Sequence, residues 1–217
     1  MNAILLTAAI LAAGWALHAS LLTRKLRAER RDPLTGLWTR RPWMHRTERL
    51  IRQGRITHVL LLDLDGFKPV NDDFGHKAGD AVLTAEGARL DDFVTQNGGP
   101  RSVCARLGGD EFVAAISVQD LKAFIDCLAH ELARPVPWPG GPLEVTASIG
   151  AVRVAEVQQP SASTVLEAAD AAMYAIKKSR GRSGRRAHRR AASLTASTVN
   201  VTSPAREAGA RYETRDQ

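Results

Sequence analysis

The residues best suited to chemistry form a short acidic segment behind two glycines. Residues 106–112 read RLGGDEF, and apolar runs at 103–107 and 112–116 flank the glycines as the two strands of a hairpin would. Paired glycines permit a tight reversal with positive φ. The turn therefore presents the adjacent carboxylates of Asp110 and Glu111 beside backbone N–H groups. Because carboxylates bind hard cations and unshielded N–H groups bind phosphate, the segment predicts a metal and phosphate site.

A third carboxylate lies at the end of an apolar run. Residues 56–64 are rich in leucine and β-branched side chains, which predicts a strand. Alternation along a strand places Leu62 and Leu64 on one face and Asp63 on the other. A carboxylate at the end of an apolar strand is costly unless a cation faces it. Asp63 is therefore a further candidate metal ligand.

Four segments of the chain resemble the GGDEF family of bacterial diguanylate cyclases. Residues 63–80, DLDGFKPVNDDFGHKAGD, agree with the family pattern over 18 contiguous residues. Residues 106–112 carry the family's signature, and residues 32–37, DPLTGL, match the motif that begins its domain. Residues 169–178 resemble the closing helix. The resemblance covers residues 32–182.

The resemblance implies a metal-dependent reaction at the three carboxylates. Asp63 and the Leu64 carbonyl correspond to ligands of Mg²⁺ or Mn²⁺, and Asp110 corresponds to a further metal ligand. Glu111 corresponds to the neighbouring acid near the metals and the attacking 3′-hydroxyl, so we place it in the metal site as well. Asp63, Asp110 and Glu111 are the implied catalytic residues, with Glu111 as base or electrostatic helper.

The resemblance also implies how GTP binds. Backbone N–H groups near Gly66 and Phe67, with the Lys68 ammonium, would meet the triphosphate. Asn71 and Asp80 correspond to the residues that read guanine. An amide and a carboxylate together complement guanine's acceptor O6 and its N1–H and N2–H₂ donors, which adenine lacks.

Four more positions correspond to substrate contacts in the family. His76 lies near the nucleotide pocket as a packing or capping residue. Gly108 and Gly109 let the ribose and phosphates approach the backbone. Lys177, on the closing helix, reaches the terminal phosphates.

Patterning along residues 32–182 predicts an α+β domain. Helices are expected at residues 42–53, 78–96, 119–133 and 164–178, and strands at residues 56–64, 102–116 (a hairpin) and 143–154. The resemblance implies the fold shared by nucleotidyl cyclases and polymerase palms. In that fold a central, mostly antiparallel sheet is flanked by helices.

The amino-terminal segment predicts a membrane anchor. Residues 3–22 contain no Asp, Glu, Lys or Arg. As a helix they would span roughly 30 Å, the thickness of a bilayer's hydrocarbon core. We therefore expect residues 1–22 to be a single transmembrane helix in the inner (cytoplasmic) membrane and residues 23–31 a basic juxtamembrane linker. The positive-inside rule then puts the catalytic domain in the cytoplasm. An amphipathic or coiled-coil helix is the alternative.

The net charge of +7 is unevenly distributed. Residues 32–181 hold 17 basic and 19 acidic residues, a net charge of −2, so the basicity belongs to the flanks. We therefore expect no nucleic-acid-binding face on the folded domain. Residues 183–217 are rich in Arg, Ser and Ala and lack apolar periodicity, which predicts a disordered basic tail.

The implied function is a diguanylate cyclase that converts two GTP into cyclic di-GMP and two pyrophosphate. Each subunit would hold one GTP, and two sites would face each other in a homodimer. A catalytically silent GTP-binding or partner-binding module is one alternative, and the complete acid set argues against it. A cyclase that makes an adenine-containing dinucleotide is another, and Asp80 argues against that. A polymerase palm is a remote third.

Overall fold

The computed structural model describes Leu11, residues 13–18 and residues 30–187 of the 217-residue chain. Five strands lie within residues 30–187: β1 (Trp38–Thr39), β2 (His58–Asp65), β3 (Val103–Gly108), β4 (Glu111–Ile116) and β5 (Thr146–Arg153). Five α-helices lie in the same region: α1 (Arg40–Arg52), α2 (Phe67–Phe74), α3 (His76–Asn97), α4 (Leu121–Leu132) and α5 (Ala162–Ala187). A single 3₁₀ turn, Val154–Glu156, follows β5.

The strands form one mixed sheet in the order β1-β3-β4-β2-β5. Only the β1–β3 pair is parallel, and the other three pairs are antiparallel. The predicted α+β fold with a mostly antiparallel sheet is confirmed. Because β2 lies between β4 and β5, both of its edges are paired, and side chains at its end are fixed by two neighbouring strands.

Each face of the sheet has its own hydrophobic core. Leu60, Leu62 and Leu64 pack with residues of α3 and α4. Val59 and Leu61 pack with residues of α1 and α5 on the other face. This is the alternation that the sequence predicts for β2, and it makes the domain a three-layer arrangement of helices, sheet and helices.

Helix α2 was not predicted from the sequence. It starts after Gly66, where φ is 81°, and ends before Gly75, where φ is 82°. The segment has only 8 residues, it contains Pro69, and Val70 is its one fully buried side chain. A helix this short gives almost no apolar periodicity. At the other end of the domain, α5 continues to Ala187 rather than ending near Lys178.

The prediction of a transmembrane helix is wrong. Among the described residues, no helix is long and apolar enough to cross a membrane. Leu11 and residues 13–18 are helical, and the rest of the predicted anchor lies outside the described residues. The sequence argument relied on absent charge, but the alanines of this stretch bury little apolar surface each, so absent charge overstates affinity for lipid. The membrane localisation drawn from it is withdrawn.

Two other predicted segments are largely untested. Of the basic linker at residues 23–31, only Arg30 and Arg31 lie in the described part of the chain. Of the tail at residues 183–217, the described part is the end of α5, and residues 188–217 lie outside it.

We predict that Gly150→Ala destabilises the domain. Gly150 lies on β5 where α5 crosses it, and an added Cβ would lie 2.3 Å from Met173 N and 2.4 Å from Ala169 O. Both are backbone atoms of α5, so the helix itself would have to shift. Overpacking of this kind costs about 1–3 kcal/mol or more, measurable by urea denaturation.

Gly140→Ala is the matched control. Its added Cβ would have no neighbour closer than Trp138 Cδ1 at 3.9 Å, so the free energy of unfolding should change by less than about 0.5 kcal/mol. Equal stability of the two variants would show that the backbone of α5 does not pack directly against Gly150 of β5.

Candidate active site

Three paired strands bring acidic residues to one end of the sheet. Asp63, near the end of β2, lies opposite Glu111 of β4 and Ser148 of β5. Residues directly opposite each other in an antiparallel pair share a face. That face is covered by α1 and α5, because Leu61, two residues earlier on β2, belongs to their core. The Asp63 and Glu111 side chains therefore leave the sheet on the same side.

Helix α5 supplies a cation to this end of the sheet. Lys177 Nζ lies 2.5 Å from Asp63 Oδ1, and the two side chains are 37% and 15% exposed. A half-buried carboxylate needs such a partner, since its removal from water is otherwise uncompensated. The structure thus joins two residues that the sequence analysis assigned separately to metal binding and to phosphate binding.

The glycine turn between β3 and β4 is held by an arginine. Gly109 has a φ of 52°, a left-handed conformation that favours glycine. Arg106 donates from Nε and Nη2 to the Gly109 carbonyl at 2.9 and 2.8 Å. Its Nη1 lies 3.1 Å from Asp32 Oδ1. Asp32, at the start of the domain, is thereby linked to the turn that carries Asp110.

Asp32 is itself fixed by a local turn. Its Oδ1 accepts hydrogen bonds from the Thr35 amide at 2.8 Å and from Thr35 Oγ1 at 2.7 Å. Burial by itself raises the pKa of Asp32, but the hydrogen bonds from Thr35 and Arg106 outweigh it and hold the pKa below its ordinary value. Asp32 is therefore ionised at neutral pH and pairs with Arg106 as a charge.

The pKa of Asp110 is shifted in the opposite direction from that of Asp32. Burial, and next the negative charge of Asp63, raise the pKa of Asp110 above its ordinary value, while Lys177 and Arg106 offset part of the rise. Its backbone carbonyl accepts a hydrogen bond from the Leu64 amide at 3.3 Å, which joins the turn to β2. Two carboxylates that repel each other across a half-buried site are the arrangement that a bound cation relieves.

The donors present fit Mg²⁺ or Mn²⁺ with an incomplete protein shell. Asp63 and Asp110 offer carboxylate oxygens, and the backbone at the end of β2 offers a carbonyl. In the part of the chain that the structure describes, no group of three or more His, Cys, Asp or Glu side chains is arranged to hold a metal. Mg²⁺ commonly takes one or two carboxylates and completes its shell with water and phosphate oxygens. Glu111 lines a neighbouring cavity of about 200 Å³ with Arg40 and Asp170.

The predicted phosphate contacts follow β2 directly. Gly66 is the residue before α2, and no side-chain hydrogen bond caps that helix. The first N–H groups of a helix have no partner within it and bind anions well. Phe67 packs against the core, whereas Lys68 is exposed. The N–H groups of Phe67 and Lys68 are thus placed to receive a phosphate shortly after Asp63 in the chain.

The predicted guanine contacts meet where α2 packs on α3. Asn71 lies against Gly79 so closely that a Cβ on Gly79 would be 2.1 Å from Asn71 Oδ1. Asp80, the next residue of α3, is exposed. The structure therefore brings Asn71 and Asp80 to one corner. His76 is the exposed first residue of α3, and its contact with a nucleotide stays a prediction.

Sequence reasoning gave no role to Asp65. It lies on β2 two residues after Asp63, on the same face, and Ser148 Oγ donates to its two carboxylate oxygens at 2.8 and 3.0 Å. Thr146 Oγ1 donates to Asp65 Oδ2 at 3.3 Å. The spacing of two acids at a strand end was the available signal. The hydroxyl partners of Asp65 are on β5, and nothing in the local sequence connects the two segments.

Comparison with known proteins assigns the domain to a family. A family model described as "Diguanylate cyclase, GGDEF domain" matches residues 29–183. The chain belongs to the GGDEF family. The matched range includes every strand of the sheet and the whole of the acidic site, and it confirms the family resemblance seen in the sequence.

Several curated relatives share this domain. An uncharacterized 19.3 kDa protein of Streptomyces ambofaciens is 50% identical over 173 residues, which cover 79% of this chain and 90% of that protein. The diguanylate cyclase DgcP of Escherichia coli is 36% identical over 162 residues, covering 68% of this chain and 44% of DgcP. The DgcP of Pseudomonas aeruginosa is 36% identical over 155 residues, and only 22% of it is covered. The chain thus spans less than half of either DgcP.

Solved GGDEF structures have the same fold. A sensory box/GGDEF family protein from Caulobacter crescentus is 34% identical, with a TM-score of 0.62 over 69% of this chain and 99% of that one. The coiled coil and GGDEF domain of DgcB, from the same organism and in complex with c-di-GMP, is 26% identical. It has a TM-score of 0.62 and covers 79% of this chain and 94% of that one.

We predict that Asp32→Asn destabilises the domain at neutral pH by about 1–3 kcal/mol, because it leaves the Arg106 guanidinium short of its charged partner. The folded-state pKa of Asp32 lies below the ordinary 3.8. The stabilisation is therefore present above that ordinary value and is lost as the pH falls through the folded-state value. Denaturation of both proteins from pH 7 to pH 3 should show the stability gap narrowing at the acid end.

Asp126→Asn is the matched control, because Asp126 pairs with Lys122 on the surface of α4, where the two side chains are 39% and 74% exposed. Exposed pairs of this kind contribute little to stability, because water and salt screen them. A gap for Asp32→Asn that stays constant down to pH 3 would mean that its loss acts through packing and not through charge.

Proposed function

We propose that the protein is an active diguanylate cyclase that condenses two GTP into cyclic di-GMP and releases two pyrophosphate. The observation that carries the proposal is the meeting of Asp63, Asp110 and Lys177 at one end of the sheet, with a 2.5 Å ion pair between Lys177 and Asp63. Membership of the GGDEF family supports it, as do relatives named diguanylate cyclases.

Different residues of the site bind the phosphates of a nucleoside triphosphate and the metal ion. The N–H groups at the start of α2 and the Lys68 ammonium bind phosphate oxygens, and Lys177 neutralises charge at the same end of the sheet. Asp63 and Asp110 would hold Mg²⁺ or Mn²⁺ together with the Leu64 carbonyl. The bound ion would supply charge stabilisation at the α-phosphate and acidify the attacking 3′-hydroxyl.

The bond that forms joins the 3′-oxygen of one GTP to the α-phosphorus of the other, and the bond to the pyrophosphate leaving group breaks. Glu111 is our candidate to accept the 3′-hydroxyl proton, because it lies opposite Asp63 on the adjacent strand. Its side chain lines the cavity of about 200 Å³ that Arg40 and Asp170 share, and among the described residues it forms no group of three potential metal ligands with the other two carboxylates.

A homodimer follows from the product. Cyclic di-GMP contains two equivalent phosphodiester bonds, and one domain has a single set of these carboxylates. Two copies that face each other would each contribute one GTP and one catalytic end. The crystal structure of DgcB in complex with c-di-GMP shows that a GGDEF relative binds the product of this reaction.

Asp110→Asn tests the activity. The variant keeps the side chain's shape but loses a charged metal ligand, so we expect cyclic di-GMP formation from GTP and Mg²⁺ to fall at least about 100-fold, on the scale of removing one transition-state contact. Product is measured by chromatography. The melting temperature should stay within a few degrees of wild type.

Asp92→Asn, which removes an exposed carboxylate of α3 outside the proposed site, is the control and should leave turnover unchanged. Undiminished turnover by Asp110→Asn would refute the assignment of the site. A wild-type protein that binds GTP but forms no product would instead be the silent module considered above.

Asp80→Ser tests the reading of guanine. The change removes the carboxylate acceptor for guanine N1–H and N2–H₂, and polar groups left unpaired cost about 1–3 kcal/mol. The ratio of kcat/KM for GTP to that for ATP should therefore fall by roughly 5- to 150-fold. Asp92→Ser, on the same helix, should leave the ratio unchanged. If Asp80→Ser discriminates as well as wild type, the base is read elsewhere.

A further inference from the structure

We infer that helix α1 bears a second anion site, which binds a small molecule carrying two or more linked phosphate groups. The site is a cavity of about 620 Å³, hereafter the α1 cavity. Its walls include five arginines and one tryptophan: Arg30, Arg41, Arg46, Arg49, Arg52 and Trp38. None of the proposed catalytic or GTP-binding residues lines it.

The arginines are gathered there by helical spacing. Arg41, His45 and Arg49 follow one another at intervals of four residues, and Arg52 comes three later, so they lie along one side of α1. The net charge of −2 over residues 32–181 conceals this face. Acidic and basic residues of the domain are therefore segregated rather than mixed, while the absence of a nucleic-acid-binding face stays a prediction.

The cavity has no acidic wall to balance these charges. Among the residues that the structure describes, Arg41, Arg46 and Arg49 form no ion pair. Arg52 has a loose ion pair, since its Nε lies 4.0 Å from Glu48 Oε1. The other oxygen of Glu48 accepts a hydrogen bond from the Ala162 amide at 2.7 Å. Like charges crowded in this way repel unless an anion lies between them.

One buried guanidinium nitrogen of the α1 cavity has no hydrogen-bond acceptor among the described residues. Arg46 Nε is buried and has no hydrogen-bond partner among the described residues. Buried donors are nearly always satisfied in folded proteins, so an unpaired one needs an explanation. A phosphate oxygen is an apt partner, because guanidinium groups bind phosphate through forked, charge-assisted hydrogen bonds.

The shape favours a small ligand over a nucleic acid. The volume of about 620 Å³ is in the range of small-molecule sites, roughly 300–1,000 Å³. From Arg41 to Arg52 the helix rises only about 16 Å, too short a track for the many phosphates that a duplex-binding surface contacts. The Trp38 ring, with the Arg31 guanidinium 4.0 Å from its centroid, offers an aromatic wall. Linked phosphates, with or without a nucleoside, fit this combination.

A neighbouring cavity extends the same surface. It measures about 590 Å³, shares Arg46 and Arg49 with the α1 cavity, and adds Arg55 and Arg101. Charge-reducing changes at Arg49 therefore weaken both cavities together, whereas Arg41 belongs to the α1 cavity alone. A paired change at Arg41 and Arg49 probes the proposed site most directly, and both side chains are exposed, so the fold should survive.

The test is calorimetric titration of the full chain with inorganic tripolyphosphate, in EDTA and at fixed low salt. Wild type should bind, and Arg41→Ala/Arg49→Ala should bind at least about tenfold more weakly. The control pair Lys122→Ala/Arg134→Ala removes the same charge from α4 and the residues just after it, and should bind within about twofold of wild type. Melting temperatures establish that all three proteins are folded.

Further arms separate the ligand sources and the rival sites. GTP that binds more tightly than tripolyphosphate at the α1 cavity would identify a nucleotide ligand, and equal affinities would identify the phosphates alone. Lys177→Ala should leave the arginine-dependent part of tripolyphosphate binding intact. Binding that Lys177→Ala abolishes and the arginine pair does not, or equal losses in the control pair, would overturn the proposal. Tighter, arginine-dependent binding of a single-stranded oligonucleotide or of phosphatidylglycerol vesicles would overturn it in favour of that macromolecule.

Discussion

The arrangement of the site depends on the ion pair between Lys177 and Asp63. Asp63 stands at the end of a strand whose other residues are almost all buried, so its carboxylate has lost much of its water. An ammonium at 2.5 Å compensates that loss. The same helix packs closely on β5 one turn earlier, since a Cβ on Gly150 would lie 2.3 Å from Met173 N. One helix, α5, thus both supplies the positive charge at the site and packs against the sheet.

The same ammonium bears on a second carboxylate. Lys177 pairs with Asp63, while Asp110, half-buried beside the same carboxylate, has a raised pKa that Lys177 offsets in part. Under the proposed function, Asp63 and Asp110 would hold a divalent cation, and its charge would relieve their repulsion. Lys177 would then share the neutralisation of Asp63 with that ion.

The sequence predicted the parts of this domain that are encoded locally. Alternation in residues 56–64 identified β2 and the face on which Asp63 lies, and the paired glycines identified the β3–β4 turn. The link from Arg106 to Asp32 joins residues 74 positions apart, and no local pattern records it. Helix α2 was not predicted because its eight residues contain too few apolar side chains to show a helical period. The anchor at residues 3–22 was wrong because a lack of charge is not equivalent to apolar surface.

The charge pattern has a physical consequence that net charge hides. Arg40, the first residue of α1, shares a cavity with Glu111, whereas the later arginines of the helix, Arg41, Arg46, Arg49 and Arg52, line the α1 cavity. The sheet order places β1, which carries Trp38 of the α1 cavity, three strands away from β2. At about 4.8 Å per strand the separation is roughly 14 Å, beyond the Debye length of about 8 Å at physiological salt. The sheet therefore separates the arginines of the α1 cavity from Asp63 within one small domain. A fold in which β1 paired directly with β2 would lose that separation.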